Sequence, residues 1–214
     1  MSLTTPMFPF HAAQRNAQLN IKATSAKQIP EQIQTQMSKA IGGMFQRGLM
    51  LEKDLKMNEA ITSYILAASR MDKESMYKLG TLLESGEHVP LDYSHARTWY
   101  ILAARGTGDE PHVGAQYKLG YFYEFGLCGE SKMDKARKLY KLAAEKFHAD
   151  VQYKAAYFLE HGIGGESNMA EARKYYTLAA NQNHSESQYE LGGGNHLNRN
   201  NRKSGEMAAI PTPT

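Results

Sequence analysis

The chain has 214 residues, 42% of them hydrophobic, which suits one domain with tails or one short repeat array. No stretch approaches the roughly 18 consecutive apolar residues of a membrane helix. The single cysteine, Cys128, excludes an internal disulfide and a cysteine-based zinc site. The formal charge of +3 is carried by the ends, +3 on residues 1–30 and +2 on 193–214. The middle, at −2, lacks the dense basic face of a nucleic-acid binder.

Residues 1–36 are rich in Gln, Thr, Ala and Pro and are expected to be disordered. They show no apolar core followed by a small-residue cleavage site, so no secretory signal is expected. Their acid-free start resembles a mitochondrial presequence, but Pro6, Pro9 and Pro30 oppose a long amphipathic helix. Repetition begins next. IGGMFQRG at Ile41 and AITSYILAA at Ala60 form a first, weak repeat over 37–74. SMYKLGTLLESG at Ser75 and ARTWYILAA at Ala96 form the second, 75–114. AQYKLGYFYEFG at Ala115 and ARKLYKLAA at Ala136 form the third, 115–150. VQYKAAYFLEHG at Val151 and ARKYYTLAA at Ala172 form the fourth, 151–186. SQYELG opens a fifth that breaks off at 187–192, and 193–214 is again expected to be disordered.

Each block reads as a helix. Ala136, Leu139, Tyr140 and Ala143 follow the i, i+3, i+4, i+7 spacing of one apolar face. Gly86, Gly126 and Gly162 mark the turn between paired helices, and Asp92 and Asn168 stand where N-caps belong. Gly42, Gly80, Gly120 and Ala156 fall inside the first helices, where glycine costs roughly 0.5–1 kcal/mol relative to alanine. Their recurrence predicts close approach by a partner helix, matched by the Ala pairs 67/68, 103/104, 143/144 and 179/180. Such pairs bury their apolar faces only by stacking, which predicts an all-α fold, an α-solenoid of antiparallel helix pairs.

No residue set carries catalysis. His148 and His184 recur 36 residues apart and read as turn residues rather than metal ligands. His88, His95 and His161 lack the spacing of a helical ligand pair, and Gly192–Gly194 lacks the Lys-Ser/Thr of a phosphate loop. Cys128 reads as a free thiol with no activating base. No catalytic residue, metal or cofactor is therefore expected. A stripe opposite the Leu–Tyr face of the first helices is the candidate protein-binding site: Lys78, Thr81 and Ser85; Lys118, Tyr121 and Phe125; Lys154, Tyr157 and His161. Exposed aromatics among lysines suit a hot spot. The alternative is that the aromatics pack between repeats and the lysines form a solvated face.

The pattern Ala115, Leu119–Gly120, Tyr123, Gly126, Ala136, Tyr140 and Ala143–Ala144 resembles the Sel1-like repeat, a relative of the tetratricopeptide repeat, over about 37–192. That resemblance implies a right-handed superhelix whose first helices line a concave side and a non-enzymatic scaffold or adaptor that binds proteins. MYKLG at Met76, DEPH at Asp109–His112 and AQYKLG at Ala115 further resemble the fungal chitin-synthase activators. Members bind a membrane-embedded synthase and tether it at sites of wall growth. Their prenylated Cys box has no counterpart in the closing Pro-Thr-Pro-Thr, so no direct lipid anchor is expected, and a cytoplasmic location, peripheral to a membrane through a partner, is. Other relatives imply a mitochondrial or protein-quality-control adaptor, or, among Cys-rich bacterial proteins, a hydrolase; a single Cys counts against the last. The broken fifth repeat, 187–192, opens a route to self-association; a partner or a truncated reading frame would account for it as well.

Overall fold

The computed structural model describes residues 14–16, 31–106, 110–146 and 148–192, with backbone alone for 31–35, 37 and 38. The expected disordered ends therefore lie outside the described residues, apart from 14–16 and 31–36. The chain divides into two compact units, Met1–Lys132 and Met133–Thr214. Among the described residues every regular element is helical.

The first unit holds α1 (Glu31–Lys53), α2 (Met57–Ala68), α3 (Lys73–Ser85), α4 (Tyr93–Arg105) and α5 (Val113–Phe125). Each packs on the next. Local chemistry sets their ends. The Asp72 carboxylate accepts the Ser75 N–H at 2.8 Å and opens α3; Asp92 accepts the His95 N–H at 3.0 Å and opens α4. Gly86, at φ 68°, closes α3 by donating its N–H to the Leu82 carbonyl. The core is made of tightly approaching helices. Ala60, Tyr64, Ala67, Leu79, Trp99, Tyr100, Ala103 and Ala115 are all fully buried.

The close approach expected of the first-helix glycines holds at Gly80, where an added Cβ would lie 2.5 Å from the Tyr100 ring. In repeat one the expectation needs correction. None of the described residues lies within 4 Å of a Cβ on Gly42, and Gly48 is the residue under a ring, its added Cβ 2.3 Å from Tyr64. The cause is a shorter connection: Gly48 and Tyr64 are 16 residues apart, against 20 for Gly80 and Tyr100.

The second unit holds α6 (Met133–Ala144), α7 (Ala149–Glu160), α8 (Met169–Ala180) and α9 (Ser185–Gly192), again packed each on the next. Asn168 opens α8 by accepting the Glu171 N–H at 3.0 Å, as its position implied. Ala136, Tyr140, Ala143, Ala155, Ala156, Leu159, Tyr176 and Ala179 are fully buried. Of the four Ala pairs across the two units, the first member is buried in every one; Ala104 and Ala180 are only partly covered. The α7–α8 turn sits against the start of α6. Gly164, at φ 73°, comes so close to the Met133 carbonyl that an added Cβ would lie 2.2 Å from its oxygen.

Candidate functional site

The stripe starts from helix periodicity and is completed by what lies across from it. In the first unit Lys78 projects from α3 and places its Nζ 2.8 Å from Glu52 Oε1 on α1. The other oxygen of Glu52 accepts the Tyr64 hydroxyl of α2 at 2.8 Å. The next repeat copies this. Lys118 of α5 lies 2.8 Å from Glu84 Oε1 of α3, and Glu84 Oε2 accepts the Tyr100 hydroxyl of α4 at 2.5 Å. Each joint links three successive helices of the array through one carboxylate. Lys78 and Lys118 are thus engaged within the fold. Thr81 and Ser85 donate their hydroxyls to the Lys78 and Leu82 carbonyls of their own helix.

The aromatic members stand apart from this. Tyr121 and Phe125 are 36% and 55% exposed, and their rings pack on each other with centroids 4.5 Å apart. In the second unit Tyr157 is 38% exposed and packs on the His161 ring at 4.2 Å. Lys154 lies over the Phe158 ring at 5.4 Å. The structure therefore groups Lys118, Tyr121 and Phe125 on α5, and Tyr157 and His161 at the end of α7. Paired, half-exposed rings hold apolar area at the surface with little rotamer freedom left to lose.

Electrostatics follow the joints. Burial pushes the Glu52 carboxyl up, but hydrogen bonds from Lys78 and Tyr64 outweigh it and hold the group below its ordinary range. The Tyr64 and Tyr100 phenols are pushed well up by burial and by the carboxylate each one faces. Glu74 is held low by its hydrogen bond from His112, against an opposing effect of burial. At Asp92 burial acts upward, and hydrogen bonds from the His95 backbone and ring outweigh it. All three acids have depressed folded values. Their stabilisation is present above the unfolded carboxylate range and is lost as pH falls through the folded values. Circular dichroism melts are expected to give a level melting temperature from neutral pH down to about 5 and a progressive fall below about pH 4.5.

Two recurrent devices escaped the sequence reading. The histidine series has a third member, His112, also 36 residues before His148. Its Nδ1 accepts the Ala115 N–H at 3.0 Å, and its ring stacks on Tyr77 at 4.3 Å. His184 does the same for Ser187 and stacks on Tyr153. His112 and His184 are thus caps that couple one repeat to the next. The arginine after the first Ala of the second blocks at Ala96 and Ala136 is the other device. Arg97 donates to the Cys128 carbonyl at 3.3 Å and the Tyr123 hydroxyl at 3.2 Å. Arg137 donates to the Glu166 carbonyl at 2.6 Å. The recurring Ala-Arg at 96/97 and 136/137 was the available signal.

A cleft of about 290 Å³ lies beside Arg97, Tyr123, Cys128 and Lys132. That is just below the roughly 300–1,000 Å³ of small-molecule sites. Burial pushes the Cys128 thiol up, away from the thiolate a nucleophile needs. No group of three metal-ligating side chains occurs among the described residues. Among the described residues no helix is long and apolar enough to cross a membrane.

The Sel1 repeat model matches residues 73–107, 113–146 and 149–184, so the matches cover α3 and α4, then α5 and α6, then α7 and α8. This chain belongs to the Sel1 repeat family. The Sel1 repeat protein of Oxalobacter formigenes is 29% identical with a TM-score of 0.62, over 73% of this chain and 65% of that one. The protein c5321, a protective antigen of uropathogenic Escherichia coli with the same repeat fold, is 24% identical with a TM-score of 0.65, over 86% of this chain and 40% of that one. The chain thus spans less than two thirds of either relative's length. No curated protein matches. The fold class is that of the Sel1 solenoids, all-α and built from antiparallel helix pairs. The pair α1–α2, outside the matched residues, carries the same Gly–Tyr contact and Glu–Tyr hydrogen bond and so has the same design. Sel1 repeat proteins generally act as protein-interaction scaffolds.

Proposed function

We propose that this Sel1 repeat protein is a non-enzymatic adaptor that binds a protein partner through the aromatic stripe of its first helices. The observation that supports this most is Tyr121 against Phe125, an aromatic pair that is half-exposed beside an engaged lysine. Interface hot spots favour such rings because truncating them removes a large apolar contact. Tyr157 with His161 supplies a second contact of the same kind on α7.

A narrower reading makes the partner a membrane-embedded chitin synthase and the chain its regulator. It is supported by MYKLG at Met76 and by DEPH, whose His112 caps α5. A mitochondrial or quality-control adaptor is the alternative. Affinity purification from the native host with mass spectrometry separates these by the proteins recovered. The double substitution Tyr121→Ala and Phe125→Ala is expected to weaken capture of the main partner at least about tenfold, since two hot-spot truncations exceed about 1.4 kcal/mol. The melting temperature should stay close to that of the parent. Unchanged capture by a folded double variant would sink the stripe as the binding face.

A further inference from the structure

The Lys–Glu–Tyr joint has an unfinished copy at the end of the second unit. Glu160, on the last turn of α7, stands where Glu52 and Glu84 stand, and it accepts the Tyr176 hydroxyl at 2.7 Å. The register that supplies Lys78 and Lys118 to the earlier joints falls, in α9, on Glu190. The position has therefore changed sign. Glu190 is close enough to help raise the Tyr153 and Tyr176 phenols, after burial and, at Tyr176, after Glu160.

The consequence is a carboxylate that, among the described residues, has no lysine or arginine within 4.0 Å. The Glu160 side chain is only 6% exposed, against 27% for Glu52 and 17% for Glu84, which have their lysines. Its nearest basic group among the described residues is the His161 ring, with Nδ1 at 4.0 Å. Burying an anion that far from water is costly unless a counter-charge accompanies it. Tyr153 and Tyr157, with ring centroids 6.4 Å apart, stand near it, and Tyr189, 62% exposed, precedes Glu190 on α9. Aromatic faces of this kind attract an ammonium or guanidinium group. Gly192 completes the picture. Its counterparts Gly48 and Gly80 lie under the Tyr64 and Tyr100 rings, whereas none of the described residues lies within 4 Å of a Cβ built on Gly192.

We infer that this end of the second unit is a docking surface for a basic segment of a partner protein, whose lysine or arginine seats between Glu160 and Glu190 and against Tyr157 and Tyr189. Charge complementarity selects the occupant: the two joints of the first unit show the group this socket takes, an ammonium 2.8 Å from the carboxylate. The inference rests on the protein-binding reading; it shares Tyr157 with the stripe and does not use Tyr121 and Phe125.

Fluorescence anisotropy on the full chain tests it. The probes are a fluorescein-labelled Gly-Ser peptide carrying several lysines and its glutamine counterpart. The lysine peptide is expected to bind at least about tenfold tighter, with the difference shrinking as salt rises. Glu190→Lys restores the lysine register. It is expected to remove that preference and raise the melting temperature, and Glu160→Gln should remove the preference as well. Tyr121→Ala with Phe125→Ala should leave it intact, which separates this seat from the Tyr121–Phe125 contact. Equal binding of the two peptides overturns the inference, as does an unchanged preference in a folded Glu190→Lys chain. A preference that appears only after Arg199→Gln, Arg202→Gln and Lys203→Gln also overturns it, since the socket then takes the chain's own basic residues.

Discussion

Tyr100→Ala is expected to lower the stability of the first unit by about 3–5 kcal/mol, the usual cost of deleting a large buried ring. The ring is fully buried, stands edge-on to Phe122 with centroids 5.6 Å apart, and covers Gly80. Its hydroxyl also holds Glu84, which in turn holds Lys118. Tyr100→Phe separates the two contributions. It keeps the ring and loses one hydrogen bond to a charged group, a cost of about 1.5–3 kcal/mol. Gly80→Ala reports on the same contact from the other side. On an open helix the change would stabilise by roughly 0.5–1 kcal/mol. Here the new methyl meets the ring, so a net loss of about 1–3 kcal/mol is expected. In the Tyr100→Ala background the obstacle is gone and Gly80→Ala should become stabilising. Denaturant melts of the four proteins in this cycle measure the coupling. Additive effects would show that ring and glycine do not share the contact. Gly43→Ala, with none of the described residues within 4 Å of the new methyl, is the control that should stabilise.

Gly164→Ala is the second large effect, at about 3 kcal/mol or more. Two costs combine. A φ of 73° puts an L-residue in the left-handed region, and the added Cβ would meet the Met133 carbonyl, a backbone group that cannot turn aside. The loss should fall on the second unit. Trp99, the sole tryptophan of the chain, is buried in the first unit. Its fluorescence should therefore keep a near-parental transition while circular dichroism shows part of the helix melting earlier. A parental melt by both probes would show that the turn relaxes without cost.

Much of this was legible in the sequence. Ala and Tyr at helical spacing identified the second helices, and the spacing of their blocks implied the pairing that the structure shows. Asp92 and Asn168 announced their helices because a cap needs only a short oxygen-bearing side chain at the right place. Gly42 misled because it lies in a glycine-rich stretch, and sequence phase alone does not reveal a connection shortened by four residues. Lys78 and Lys118 were the harder case. Periodicity tells which face a residue occupies but not what stands opposite. Their carboxylates lie 26 and 34 residues earlier, beyond any local pattern. The recurring Glu of LLESG and FLEHG, four residues after Gly80 and Ala156, was visible but had no role until the tyrosine hydroxyls were placed beside it. For Tyr121 and Phe125 the sequence left two readings open, an exposed contact or packing between repeats; their rings are 36% and 55% exposed.

The joint of lysine, glutamate and tyrosine also makes the modules directional. In the first unit Lys78 and Lys118 are plugs on first helices, Glu52 with Tyr64 and Glu84 with Tyr100 are sockets shared between a first and a second helix, and each plug fits the socket behind it. Copying or deleting one whole module restores a matched plug and socket at the new seam. Cutting between the first and second helix separates the two halves of a socket and leaves the incoming plug unmatched. Growth and shrinkage of such an array by complete helix pairs is therefore built into where three side chains meet.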